Sequence, residues 1–202
     1  MGDPRKHRRK YEGPPHPWQA ARIEQEKVYV SKYGIARKNE IWKMASILRS
    51  FKRQAKNLII RTDSQSKKEE ELLLKKLYGL GLLDKDAKLE NILDLDTPHI
   101  LERRLQTVVA NKGLAHSPKQ ARQFITHRHI NVKGKMVNVP SYLVKRDEED
   151  QITFAARSPF INAEHPERVA KKEERPAAPK VPSAPHRKEQ RVEKKAMVVE
   201  VE

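Results

Sequence analysis

The sequence of 202 residues contains no cysteine, and only 5% of it is aromatic. The missing cysteines exclude a disulfide framework, a thiol nucleophile and a cysteine zinc site. No apolar run reaches the roughly 18 residues of a membrane-spanning helix, and the first residues lack the apolar segment of a secretion signal. We therefore expect a soluble, cytoplasmic protein with a small, mostly aliphatic core and no membrane partner.

Acidic residues are too few to balance the basic ones. The chain has 43 lysine and arginine residues against 27 aspartate and glutamate residues, a formal net charge of +16. This excess favours a polyanionic partner, and nucleic acid ahead of a membrane surface. Residues 1–60 contain 15 basic and 5 acidic residues, whereas residues 61–100 contain 7 and 9. The strongest positive field is therefore expected within the first 60 residues.

Two helices are predicted at the start of a small domain over residues 98–163. Thr97 is suited to cap the first helix, and Gly113 to end it. Ser117-Pro118-Lys119-Gln120 has the form of a capping box with proline after the cap, and it opens the second helix. At about 100° per residue, one side of this second helix is apolar and carries Ala121, Phe124 and Ile125. The opposite side carries Lys119, Arg122, Gln123 and Thr126. No acidic residue lies between Glu102 and Arg146, so this basic stripe is predicted to meet an anion.

After the second helix the apolar period changes to two. Ile130-Asn131-Val132 and Val137-Asn138-Val139 alternate around Lys133-Gly134-Lys135, which predicts a hairpin. His127, Arg128 and His129 lie at the junction of helix and hairpin. Residues 151–155 have strand composition and are expected to extend the sheet.

This order of elements resembles the small RNA-binding domain named after the fourth small-subunit ribosomal protein. The same domain occurs in some pseudouridine synthases and tyrosyl-tRNA synthetases. The resemblance is carried by Leu101-Glu102-Arg103-Arg104-Leu105, Gly113-Leu114-Ala115, Ser117, Gln120-Ala121-Arg122, Ile125, His129-Ile130-Asn131-Val132 and Val139-Pro140-Ser141. Gly13-Pro14-Pro15-His16-Pro17-Trp18 and Ser158-Pro159-Phe160 resemble the archaeal and eukaryotic branch of that ribosomal family. The resemblance implies small-subunit ribosomal RNA and neighbouring ribosomal proteins as partners, and a role in early subunit assembly.

Residues 18–97 are predicted to form a helical domain. Its helices are expected over residues 19–32, 37–60, 66–77 and 88–95, the third opened by the capping box Ser66-Lys67-Lys68-Glu69. The long second helix places its apolar residues in an arc of about 120°, beside a basic arc that includes Arg49, Lys52, Arg53 and Lys56. We favour a helix that packs on the core and faces RNA. A merely solvated face and a membrane-surface helix are the alternatives.

The remaining segments carry charge without periodicity. Residues 1–17 form a basic arm, read either as a solubilising tail or, as we favour, as an arm that orders on RNA. Residues 164–202 are rich in proline, alanine, lysine and glutamate and are expected to be disordered. The run Asp147-Glu148-Glu149-Asp150 is expected to be an exposed turn, since adjacent carboxylates do not converge on one metal.

Nothing in the sequence predicts an enzyme. It has no glycine-rich phosphate loop, nucleophile elbow or His-Glu-x-x-His motif. His116, His127 and His129 lack the further ligands that a metal needs, and basic surroundings favour base stacking or phosphate contact instead. Enzymes with this RNA-binding domain attach it to a separate catalytic domain, for which residues 1–100 are too short and too basic. No cofactor, metal or small-molecule substrate is predicted.

The predicted fold class is α+β, a helical N-terminal domain followed by a small helix-helix-hairpin domain with a short antiparallel sheet and disordered tails. The predicted function is that of a structural constituent of the small ribosomal subunit, which binds its RNA and nucleates early assembly. The alternative is a free-standing RNA-binding or regulatory factor that uses the same domain. The predicted RNA-contacting side chains are Arg103, Arg104, Lys119, Arg122, Gln123, Thr126, His127, Arg128, His129, Lys133, Arg49, Lys52, Arg53 and Lys56.

Overall fold

The structure is a computed structural model that describes residues 11–61, 63–162, 165 and 167. The predictions for residues 1–10 of the basic arm and for nearly all of the C-terminal tail fall outside these residues. The helices are α1 Ala20–Tyr33, α2 Lys38–Ile60, α3 Ser64–Gly79, α4 Leu89–Asp94, α5 Thr97–Glu102, α6 Leu105–Asn111, α7 Pro118–Thr126 and α8 Arg146–Glu149. The strands are β1 Ile130–Val132, β2 Lys135–Met136 and β3 Ile152–Phe154, and a 3₁₀ turn follows at Pro159–Ile161. The predicted α+β fold is confirmed. None of the described helices is both long and apolar enough to cross a membrane.

Helix α2 is the centre of the first hydrophobic core. Its buried residues are Ile41, Met44, Leu48, Phe51, Ala55 and Leu58, which confirms most of the predicted apolar arc. Ile59, which the prediction also placed in that arc, is exposed. Helices α1, α3, α4 and α5 pack against it. Helix α3 begins at Ser64, and Ser66 is buried inside it, so the prediction that Ser66 caps this helix was wrong.

A second core forms around α6, α7 and the sheet. Ala121, Phe124 and Ile125 of α7 are buried in it together with Ile130 and Val132 of β1, as their spacing predicted. The first core ends at Leu101 and the second begins at Leu105. Only two residues, Arg103 and Arg104, lie between α5 and α6, but α5 packs in the first core and α6 in the second.

The predicted single helix from Thr97 to Gly113 was wrong, because the chain leaves helical geometry at Arg103 and Arg104. Arg104 adopts an extended conformation with φ −72° and ψ 142°. Here the chain pairs with a later segment: Leu105 N–H donates to Tyr142 O at 2.7 Å, and Val144 N–H donates to Arg103 O at 3.0 Å. Hydrogen bonds to residues some 40 positions away thus replace those of the helix. The cap position before α5 is also Asp96 rather than Thr97.

The hairpin turns earlier than its apolar alternation predicted. Lys135 pairs with Val132, which leaves a two-residue turn of Lys133 and Gly134 with φ of 51° and 71°. Positive φ at both central residues is typical of a type I′ turn, whose twist matches the flanking strands. The second strand is therefore β2, and the prediction of a strand over residues 137–139 was wrong. Strand β3 pairs with the other edge of β1, which confirms the strand predicted near residue 152.

The acidic run after residue 146 is a short helix, α8, rather than an exposed turn. Glu148 is buried, and its carboxylate accepts from Tyr142 Oη at 2.8 Å and from Lys145 N–H at 3.3 Å. Glu149 accepts from Arg103 Nη1 at 2.7 Å. Two of the four carboxylates therefore hold neighbouring parts of the fold in place.

Candidate nucleic-acid interface

A basic arc lies beside the buried face of α2. Arg49, Arg53 and Lys56 are exposed, and Lys52 is half-buried. Because α2 rises about 1.5 Å per residue, the four side chains span roughly 10 Å along the helix axis. We call these four residues the α2 stripe.

Helix α7 is fixed at its N-terminus by its own side chains. Ser117 Oγ accepts from Gln120 N–H at 3.2 Å, as in the predicted capping box. Gln120 Oε1 accepts from His116 N–H at 2.8 Å, one residue before the cap position. On the outer side of the helix, Lys119, Gln123 and Thr126 are exposed.

Arg122, which was predicted to contact RNA from the stripe of α7, binds a carboxylate of the same chain. Its Nη2 donates to Glu40 Oε1 at 2.9 Å and its Nη1 to Glu40 Oε2 at 3.1 Å. Nη1 also lies 3.3 Å from Gln106 Oε1. The Arg122 side chain is 29% exposed, so part of the group remains accessible.

Arg104 binds the same carboxylate from inside the protein. Its Nη2 donates to Glu40 Oε2, and its side chain is only 1% exposed. The expectation that Arg104 lies on an exposed RNA-contacting face is wrong for this structure, because the extended backbone at this residue turns the side chain into the interior. Arg103 is half-buried, and it donates to Glu149 and to the carbonyl oxygen of Val144.

The Gln106 side chain links the end of α1 to the start of α7 by hydrogen bonds to their backbone carbonyl oxygens. Its Nε2 lies 3.2 Å from Tyr33 O, 3.0 Å from Gly34 O and 2.8 Å from Pro118 O. Gly34 has φ +60°, and a Cβ added there would lie 2.9 Å from Pro118 Cβ. Glycine is therefore required where the end of α1 approaches the start of α7. The sequence did not reveal the roles of Glu40 and Gln106, since both depend on contacts between distant segments.

The junction between α7 and β1 combines exposed cations with a packed histidine. His127, Arg128 and Lys133 are exposed, and the latter two adopt positive φ of 63° and 51°. His129 Nδ1 lies 3.1 Å from Ser158 Oγ, and its ring meets that of Phe160 edge to face at 4.9 Å. Burial and the nearby charge of His127 lower the pKa of His129, which favours a neutral ring near pH 7.

Comparison with known proteins decides the family. Residues 103–152 match the model of the S4 domain. Over 171 residues the chain is 52% identical to the small ribosomal subunit protein uS4 of Methanococcus aeolicus, which covers 84% of this chain and 96% of that protein. The chain belongs to the uS4 family. Two further uS4 proteins support this assignment. That of Methanothermobacter thermautotrophicus is 46% identical and covers 79% of this chain and 94% of that protein. That of Sulfurisphaera tokodaii is 47% identical and covers 82% of this chain and 93% of that protein.

The S4 domain match begins at Arg103, two residues before Leu105, the first residue of the second core. Glu40 lies outside the match, on α2, and its carboxylate binds Arg104 and Arg122 within it. The ion pairs therefore join the helical part of this uS4 family member to its S4 domain.

A cleft of about 470 Å³ opens beside Glu40, between the start of α2 and α7. Arg37 and Lys43 line it together with Arg122, and both are exposed. The sequence gives no sign of these two residues as part of a site, because only the packing of α2 against the S4 domain brings them close to Arg122. Among the described residues there is no cluster of three or more His, Asp or Glu side chains that could hold a metal ion.

The ion pairs of Glu40 make the stability of the fold depend on pH. Burial of the carboxyl, the largest single influence, raises the pKa of Glu40, but the hydrogen bonds and charges of Arg122 and Arg104 together lower it below its ordinary value of 4.5. A carboxyl with a lowered pKa stabilises the folded state above the pKa of the unfolded chain. That contribution is lost as the pH falls through the lower pKa of the folded protein.

We therefore expect the unfolding free energy to fall less steeply with acid in Glu40→Gln than in the unmodified protein. Denaturant unfolding followed by circular dichroism between pH 3 and pH 7 measures this, with Glu71→Gln, an exposed glutamate of α3, as the control. Glu71→Gln should keep the steeper slope. Parallel curves for Glu40→Gln and the unmodified protein would contradict the expectation.

Proposed function

We propose that this protein is a structural constituent of the small ribosomal subunit in the cytoplasm, where it binds small-subunit ribosomal RNA and contacts neighbouring ribosomal proteins. The observation that carries the proposal is its likeness, over nearly their whole length, to proteins named small ribosomal subunit protein uS4. The S4 domain and the net charge of +16 support RNA as the ligand. Nucleation of early subunit assembly is part of the proposal, whereas catalysis is not.

The proposed mechanism is binding through two groups of exposed side chains. One is the α2 stripe, and the other surrounds α7 and the hairpin. Lysine and arginine contacts to phosphate supply affinity that falls with salt, and the shape of the folded RNA supplies specificity. The second group consists of Lys119, Gln123, Thr126, His127, Arg128 and Lys133, with His129 and the accessible part of Arg122 at its edge.

Neutralising the α2 stripe tests the RNA contact. We expect the variant with Arg49, Lys52, Arg53 and Lys56 all changed to glutamine to bind small-subunit ribosomal RNA more weakly and with a shallower salt dependence. Each lost phosphate contact lowers the slope of log affinity against log salt by roughly 0.7–0.9, so four contacts lower it by roughly 3. Filter binding or fluorescence anisotropy at several salt concentrations measures the slope.

The matched control removes the same charge from four exposed lysines within residues 61–100, a segment with 7 basic and 9 acidic residues. It changes Lys67, Lys68, Lys75 and Lys85 to glutamine. This control should keep most of the salt dependence of RNA binding, because these residues lie outside both proposed groups. Equal losses in the two variants would show that the net charge matters and the stripe does not.

Sedimentation distinguishes the proposed function from that of a free-standing RNA-binding factor. A structural constituent should migrate in stoichiometric amounts with small subunits and stay bound at high salt. Release of the protein into the free pool at high salt would favour the regulatory factor.

A further inference from the structure

The first described residues of the chain lie along α2 and reach its stripe. The ring centroid of Tyr11 lies 6.3 Å from that of Trp42, and Lys43 Nζ lies 5.9 Å from the centre of the Tyr11 ring. The backbone N–H of Glu12 donates to Ser46 Oγ at 3.0 Å. These contacts point the chain along the helix, towards the arginines one turn further on.

The Glu12 carboxylate lies between two arginines of the α2 stripe. One of its oxygens accepts from Arg49 Nη1, and the other lies 3.9 Å from Arg53 Nη2. Arg49 and Arg53 are four residues apart, so their side chains are neighbours on the helix surface. Two guanidinium groups therefore converge on one anion.

Exposure separates this carboxylate from that of Glu40. The side chain of Glu12 is 62% exposed, and those of Arg49 and Arg53 are 52% and 68% exposed. Exposed ion pairs stabilise a fold little, because water solvates both partners nearly as well. The Glu40 side chain is 15% exposed and binds a buried arginine. Of these two carboxylates, Glu12 is the one that another anion can replace with little loss of folding stability.

We propose that the Glu12 carboxylate holds the place of an RNA phosphate on Arg49 and Arg53, and that RNA displaces it on binding. A phosphodiester presents two unesterified oxygens to guanidinium groups, as a carboxylate does. Both anions do not share the site, since like charges at this distance repel. The inference rests on the proposed function and adds to it the group that RNA must displace from the α2 stripe.

The test compares RNA affinities of full-length variants, with small-subunit ribosomal RNA transcribed in vitro as the ligand. Glu12→Gln should strengthen binding at low salt by about 1.4- to fivefold, the range that an exposed ion pair is worth. Glu71→Gln removes the same charge from an exposed position on α3 and should strengthen binding less. In a background with Arg49→Ala and Arg53→Ala, Glu12→Gln should have no more effect than Glu71→Gln.

Two results would overturn this proposal and leave the proposed function standing. One is an equal gain from Glu12→Gln with and without the two arginines, which would assign the gain to net charge alone. The other is that Glu12→Gln leaves RNA affinity unchanged, although replacing Arg49 and Arg53 still weakens RNA binding. If replacing the α2 stripe leaves RNA binding unchanged, the stripe does not contact RNA, and both that part of the proposed function and this inference are wrong.

Discussion

Replacing Glu40 with glutamine is expected to lower the free energy of unfolding by about 3–5 kcal/mol, because it leaves a buried arginine charge without its partner. Arg104 is 1% exposed, and among the described residues Glu40 is the carboxylate within ion-pair distance of it. Glutamine has nearly the same shape, so the loss reports the charge and its hydrogen bonds. Urea unfolding at pH 7 measures the effect. Glu71→Gln, at an exposed position, should change stability by no more than about 0.5 kcal/mol.

A second substitution separates the buried charge from the packing around it. Adding Arg104→Met to Glu40→Gln removes the unpaired charge and keeps an unbranched side chain about as long as the stem of arginine up to Nε. Replacing a buried ion pair by apolar groups is often nearly neutral, so the double variant should recover much of the lost stability. If the double variant is less stable than Glu40→Gln, the contribution of Arg104 lies in its packing and not in its charge.

Replacing Ile125 with alanine is expected to cost about 2–5 kcal/mol of stability, the range for a large aliphatic side chain removed from a core. Ile125 is fully buried in the second core, whereas Gln123 on the same helix is exposed. Gln123→Ala should therefore leave stability nearly unchanged. Thermal and urea unfolding of the two variants measure both effects, and equal losses would show that the faces of α7 are assigned wrongly.

RNA affinity of the folded proteins completes this comparison. Ile125→Ala, measured under conditions where it is folded, should bind small-subunit ribosomal RNA like the unmodified protein. Gln123→Ala should bind more weakly if Gln123 contacts RNA as proposed. The opposite pattern would place Gln123 outside the interface.

The helical spacing of apolar residues predicted the faces of α2 and α7 well. The side of a helix that packs inward follows from a period of 3.6 residues and needs no knowledge of the partner. The same logic predicted which basic residues lie outside, as Arg49, Arg53 and Lys119 show. It did not predict what those cations contact, because the spacing of residues within one helix carries no information about a carboxylate from a distant segment.

Arg122 shows that the position of a side chain on a helix can be predicted while its partner cannot. Its stripe was predicted to meet an anion partly because no acidic residue occurs between Glu102 and Arg146. The structure supplies the anion from Glu40, 82 positions earlier in the chain. We therefore expect Arg122→Ala to reduce stability as well as RNA affinity, whereas a side chain that contacted only RNA would affect RNA binding alone.

By itself the sequence determined the fold class, the basic character of the surface and the resemblance to a ribosomal RNA-binding domain, since these depend on composition, periodicity and local motifs. Tertiary structure alone decided the break at Arg104, the burial of that side chain and the shared carboxylate of Glu40. Each of these depends on hydrogen bonds between segments some 40 or more positions apart. Local propensity favoured one continuous helix there, and pairing with residues 142–144 outweighed it.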